Sequence, residues 1–165
     1  MPNRGFFTVL LEQFGPIVLA GLSRRHIQSL DPEVMYGRIS TQWREFAESA
    51  HVIPALPPRL GYGIGLAIDR GTKTMDYFCG FVVPSPERVP EGISCLALPL
   101  LRCAVFAHQG HVSRILFTLE AIFSSVLPRE GLRPAVGGPS FIQRYGESFD
   151  PDTGLGGMDI LIPVA

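Results

Sequence analysis

Hydrophobic and polar positions alternate most regularly over residues 60–69. There Leu60, Tyr62, Ile64, Leu66 and Ile68 fall on one side of an extended chain, and Gly61, Gly63, Gly65 and Ala67 on the other. A period of two belongs to a β-strand, and a face of large residues backed by a nearly bare one predicts that another group approaches the backbone closely. The Gly-x-Gly-x-Gly string lies inside this strand pattern. A dinucleotide-binding loop must instead leave a strand and open a helix, so nucleotide binding is not indicated. Residues 70–73 then read as a hairpin turn, and residues 74–83 as the antiparallel return strand.

Period changes elsewhere. Ile39, Trp43, Phe46, Ala47 and Ala50 recur at helical spacing, behind Asp31 as N-cap, Pro32 at the first helical position and Glu33 at the positive end of the dipole. The prolines at 54, 57 and 58 end that helix and stiffen the loop beyond it. A second helix carries a stripe of Val112, Ile115, Leu116, Leu119, Ile122, Phe123, Val126 and Leu127, stopped by Pro128 and Gly131. Strands are predicted over 16–25, 93–98, 101–108, 141–147 and 158–164. Residues 6–11 read as a strand or as an arm packed on the domain.

Strand, helix, strand, strand therefore occurs twice, over about 16–84 and 93–165, with a proline-rich linker at 84–92. The prediction is a single α+β domain over 16–165, preceded by an arm or strand at 1–15. Its two repeats form one curved antiparallel sheet, with two helices on one face and an open, groove-like cleft on the other.

Composition narrows the function. With 165 residues, 46% hydrophobic and 18% charged, the chain is large enough for a true core. A formal net charge of −1 and the absence of a basic run longer than Arg24-Arg25 give no electrostatic basis for direct nucleic-acid binding. Cys79, Cys95 and Cys103 are odd in number and lie in apolar runs, which predicts free thiols in a reducing cytoplasm. No Cys/His spacing suggests a metal site, and no cofactor motif is present. No stretch is long and apolar enough to span a bilayer, so a soluble, cytoplasmic protein is expected.

The second half is similar to the GyrI-like small-molecule-binding domain, also called the AraC-type effector-binding domain. The similarity rests on Phe106-Ala-His108-Gln-Gly110, Leu127-Pro128, Gly138-Pro139 with Phe141 to Tyr145, and Ile160-Leu-Ile162-Pro163-Val164. The first half agrees more loosely, through Trp43-Arg-Glu-Phe46, Tyr62-Gly63-Ile64 and Asp76-Tyr77 with Gly80. The resemblance implies two SH2-like halves with a ligand cleft between them. It also implies binding of hydrophobic, often cationic, molecules in roles such as transcription regulation or multidrug binding. Some members of the family carry a DNA-binding domain, and this chain resembles the stand-alone kind.

The resemblance places the cleft among Trp43, Tyr62, Tyr77, Phe106, Gln143 and Tyr145. Read without it, each aromatic residue is equally at home in a core, and Trp43 belongs to a helical stripe. The family glutamate that faces cations aligns with Gln143, one residue further from Phe141 than the pattern has it. An amide offers a dipole where a carboxylate offers a charge, so the cleft is expected to favour neutral or weakly polar aromatic ligands over cations. No catalytic constellation can be assembled from spacing, and binding is expected rather than catalysis. Two alternatives stay open: a hydrolase using the same cleft, with a carboxylate such as Asp76 or Asp159 near Tyr62 or Tyr145, and an inhibitor module that docks on another protein.

Overall fold

A computed structural model describes residues 9–165. Residues 6–8 of the strand-or-arm expectation lie outside the described residues, whereas Leu10 and Leu11 open a strand. Eight strands form one antiparallel sheet: β1 (Leu10–Phe14), β2 (Ile17–Ile27), β3 (Gly61–Asp69), β4 (Thr74–Val83), β5 (Ser94–Leu98), β6 (Leu101–Ala107), β7 (Phe141–Tyr145) and β8 (Met158–Pro163). The order across the sheet is β1-β6-β8-β7-β3-β4-β2-β5. Exchanging β1 to β4 for β5 to β8 reads this order backwards, so the two repeats are related by a pseudo-twofold between β3 and β7. Each repeat sends its first strand to the other: β1 pairs with β6, and β5 with β2.

The helices follow the chemistry of their ends. In α1 (Pro32–Ser49), the Asp31 carboxylate accepts from the backbone N–H of Glu33 at 3.0 Å and of Val34 at 3.5 Å. These bonds satisfy two of the donors that a helix start leaves open. The second helix is composite. A 3₁₀ turn (Val112–Arg114) leads into α2 (Ile115–Ala121), a π-helical turn (Ile122–Val126) and a last α turn, α3 (Leu127–Arg129). Ile122, Val126 and Leu127 on this composite helix are buried against the sheet.

Alternation along the strands separates two cores. Tyr77, Cys79, Phe106, Phe141, Ile160 and Ile162 face the helices and pack with Phe46, Leu119, Ile122, Val126 and Leu127. On the other face Phe14, Leu19, Ile64, Phe78, Leu98, Cys103, Val105, Ile142 and Leu161 form a cluster to which every strand contributes. That face buries itself because the sheet curls into a half-barrel. Arg144 on β7 reaches Glu12 on β1 at 2.6 Å, although β8 and β6 lie between those strands. In a flat sheet the two would stand about 14 Å apart at the usual strand spacing.

The α+β class, the curved antiparallel sheet and the two helices on one face are as expected. The side of the cleft is not. The face opposite the helices is filled by Ile64, Ile142, Leu161 and their neighbours, with Tyr62 and Leu66 packed against them. Open space lies on the helix side, where β3 presents Gly61, Gly63 and Gly65.

Candidate ligand-binding site

Between α1 and α2, over the centre of the sheet, lies a cavity of about 1050 Å³. Its lining includes Met35, Tyr36, Ile39, Trp43 and Phe46 from α1, Val112, Ile115, Leu116 and Leu119 from the second helix, and Tyr77, Phe81, Phe141, Gln143 and Tyr145 from the sheet. A volume of this size accommodates a drug-like molecule.

The glycines of β3 make this arrangement possible. β3 and β7 are hydrogen-bonded neighbours with Gly63 opposite Gln143 and Gly65 opposite Phe141. A Cβ at Gly63 would overlap the Tyr77 hydroxyl and the Gln143 amide oxygen, and one at Gly65 would overlap the Phe141 ring. A Cβ at Gly61 would lie 3.0 Å from the Trp43 ring. The bare face is therefore a platform over which side chains from β4, β7 and α1 lie down.

A hydrogen-bonded relay crosses the cavity floor. Trp43 Nε1–H donates to the Tyr77 hydroxyl oxygen at 3.2 Å, and the Tyr77 hydroxyl donates to Gln143 Oε1. Gln143 is 3% exposed and Tyr77 1%. Burial raises the Tyr77 hydroxyl well above its ordinary pKa, and burial also raises Tyr145, with the neighbouring Tyr77 hydroxyl partly opposing it. Both phenols stay neutral at physiological pH. Around the relay the rings meet edge to face: Trp43 with Tyr145 at 5.3 Å between centroids, and Tyr145 with Phe149 at 4.6 Å. Charged residues that touch the cavity, Arg44, Arg59, Glu147 and Asp152, are all exposed at its rim.

Trp43 is held in place by its buried neighbour Gln42. The Gln42 amide donates to the backbone oxygens of Leu22 at 2.9 Å and Tyr77 at 2.7 Å, while its oxygen meets His26 Nε2 at 2.6 Å. These bonds tie α1 to β2 and β4 one residue away from the indole. At the second helix, His108 bridges Thr118 Oγ1 at 3.0 Å and the His111 carbonyl at 2.9 Å, which is a structural role.

Of the six residues that the sequence pointed to, Trp43, Tyr77, Gln143 and Tyr145 are brought together on the cavity lining. Tyr62 and Phe106 are not. Tyr62 points to the opposite face and packs beside Phe14 at 5.9 Å between ring centroids. Phe106 is fully buried beneath the second helix, among Ile122, Ile160 and their neighbours. Asp76 and Asp159 also lie off the lining, in ion pairs with Arg25 at 2.9 Å and Arg144 at 3.0 Å. Arg25 holds the Asp76 carboxyl below its usual pKa. Met35, Tyr36, Leu116 and Phe149 are lining residues that sequence reasoning missed. Leu116 did belong to a recognised helical stripe, read as core throughout, whereas nothing in the pattern marked the other three. Among the described residues, no group of three His, Cys, Asp or Glu side chains could hold a metal ion, and no helix is long and apolar enough to cross a membrane.

Solved structures share this architecture. A structure of SAV2435 bound to tetraphenylphosphonium superposes with a TM-score of 0.72 and 14% identity, covering 96% of this chain and 94% of that one. A cryo-EM structure of an EcmrR–DNA complex gives a TM-score of 0.66 at 14% identity, covering 96% of this chain and 57% of that one. At that identity they establish the fold. In sequence, the chain is 31% identical over 129 residues to the transcriptional regulator BrlR of Pseudomonas aeruginosa, across 76% of this chain and 46% of that protein. The chain thus spans about half the length of this relative. The profile of the GyrI-like small molecule binding domain matches residues 11–165, and the chain belongs to that family.

Proposed function

We propose that the chain binds a small, hydrophobic aromatic molecule in the cavity between α1 and α2. It would act as an effector-binding or sequestering module in transcription regulation or drug resistance. The observation that carries this reading is the cavity itself: about 1050 Å³, walled by aliphatic and aromatic side chains, with a neutral hydrogen-bonded floor. Apolar walls with a few placed polar groups are the general form of a small-molecule site. Likeness to a transcriptional regulator, and to a protein solved with tetraphenylphosphonium, an aromatic cation, supports the role and the aromatic character of the ligand but not its neutrality.

The hydrolase alternative lacks such support. The two carboxylates considered for it, Asp76 and Asp159, are committed to Arg25 and Arg144 away from the lining, and the phenols that do line the cavity, Tyr77 and Tyr145, are held neutral by burial. No observation favours the inhibitor-module alternative.

The test uses the single tryptophan, which lines the cavity. Titrating polycyclic aromatic compounds into the protein should change Trp43 emission saturably and raise the thermal midpoint by mass action. A Leu116→Phe or Ile39→Phe variant, which obstructs the cavity and keeps Trp43 the single tryptophan, should lose both responses while remaining folded. Saturable binding that survives such obstruction would place the ligand elsewhere and overturn the proposal.

A further inference from the structure

The relay on the cavity floor has a direction, and that direction bears on ligand chemistry. An indole N–H can only donate, so Trp43 takes a lone pair of the Tyr77 oxygen. Tyr77 then has one proton to give, and it goes to Gln143 Oε1. The carbonyl end of the Gln143 amide is thereby turned toward Tyr77 and its Nε2 end away. Gln143 Nε2 makes no hydrogen bond to any described residue. No fully buried side-chain nitrogen or oxygen among those residues lacks a partner, so this unpartnered nitrogen is one that the cavity reaches.

Resting on the binding function proposed above, we propose that Gln143 selects the ligand: a neutral aromatic molecule carrying a hydrogen-bond acceptor, such as a ring carbonyl or ring nitrogen, held at Gln143 Nε2. The acceptor restores bonding to an N–H that loses its water when the cavity fills. A cation meets the positive end of the amide dipole instead. The aromatic rings of Trp43, Tyr145 and Phe149 offer it some cation–π attraction, about 0.5–2 kcal/mol. Removing a cation from water without a paired carboxylate costs several kcal/mol, so repulsion prevails. Glu147 and Asp152 do not alter this balance, because both are exposed at the rim, where their fields are screened.

The experiment compares three flat tricyclic probes on the full chain by titration calorimetry: 9-fluorenone, the hydrocarbon fluorene and N-methylacridinium. Wild type should bind fluorenone about tenfold more tightly than fluorene, the value of one ordinary hydrogen bond, and acridinium most weakly. Gln143→Leu should bring fluorenone and fluorene to within about twofold of each other. Gln143→Glu should move acridinium ahead of fluorenone. Far-UV circular dichroism checks the fold of each variant, while the ranking on wild type needs no variant. If all three bind wild type equally, or acridinium leads, ligand selection by Gln143 is overturned and cavity binding stands. If none of them binds, cavity binding of aromatics itself is overturned, and selection with it.

Discussion

Tyr77 and Gln143 come from different repeats, one from β4 and the other from β7, and their side chains meet over Gly63 of the intervening β3. The bond reaches across the pseudo-twofold and orients the amide, because the single proton of the Tyr77 hydroxyl is donated to Gln143 Oε1. Tyr77→Phe should therefore act twice. It leaves the Trp43 N–H and Gln143 Oε1 without this partner, a loss of about 1–3 kcal/mol in stability. It also frees the amide to turn over, so that ligands presenting a donor bind as well as those presenting an acceptor. Urea unfolding checks the first effect, and paired titrations with 9-fluorenone and carbazole, whose N–H can only donate, check the second. An unchanged acceptor preference in the variant would show that Tyr77 does not orient the amide.

The glycines of β3 and of α1 make opposite predictions for the same substitution. Gly63→Ala places a methyl group against the Tyr77 hydroxyl and Gln143, inside a filled layer. Overpacking of this kind destabilises by about 1–3 kcal/mol, and ligand binding should weaken as the relay is displaced. Gly37 lies within α1, and a Cβ there meets nothing within 4 Å. Gly37→Ala should stabilise by about 0.5–1 kcal/mol through helix propensity. Chemical unfolding of both variants provides the comparison. Equal effects would mean that the β3 glycines are not there to clear space.

Much of this fold was legible in the chain, for reasons that differ by element. Asp31-Pro32-Glu33 announces α1 because each residue suits one position at a helix start, and the structure places all three as predicted. The β3–β4 hairpin was legible because alternation and a turn signal coincide. The side of the cleft was not. Period-two alternation tells which residues share a face, but not which face the helices will cover. Tyr62 was assigned to the cleft on resemblance, yet it alternates with Gly61 and Gly63, so it must lie opposite whatever those glycines accommodate. Phe106 likewise belongs to a buried strand, and only three-dimensional placement shows that the second helix seals it from the cavity.

Two buried thiols and two buried phenols set an alkaline limit on stability. Burial pushes Cys79 up to about 12 and Cys103 up to about 11, and it raises Tyr77 and Tyr145 also. A folded-state pKa above the unfolded one means that, above about pH 9, the unfolded chain has released a proton that the folded chain still holds. Stability is then complete below that pH and declines as pH rises, by up to about 1.4 kcal/mol per pH unit for each such group. The urea midpoint should be level from pH 7 to 8.5 and fall steeply by pH 10.5. Cys79→Ala should be less stable at pH 8 yet lose less on going to pH 10.5. With an aromatic disulfide reagent at pH 8, the exposed Cys95 should react first and the other two only on unfolding. A midpoint that is flat to pH 11 would show that the buried groups titrate as they do in the unfolded chain.

The curl of the sheet depends on a bridge between strands that are not neighbours. Arg144 on β7 holds Glu12 on β1 at 2.6 Å and Asp159 on β8 at 3.0 Å, beside the ring pair of Phe14 and Tyr62. The carboxylates are partly exposed, at 40% and 38%, so the pairs act as modest ties rather than as a major source of stability. Their leverage is positional, since among the described residues β1 is an edge strand bonded only to β6. Glu12→Gln should lower global stability by only about 0.2–1 kcal/mol. Hydrogen exchange along Leu10–Phe14 should nonetheless accelerate severalfold, while β3 and β4 keep their protection. Raising salt should weaken the tie in the wild type and leave the variant unaffected. Uniform acceleration through all strands would instead show that the bridge supports the whole sheet, and no change in β1 would show that pairing with β6 and the Phe14 contact hold the curl alone.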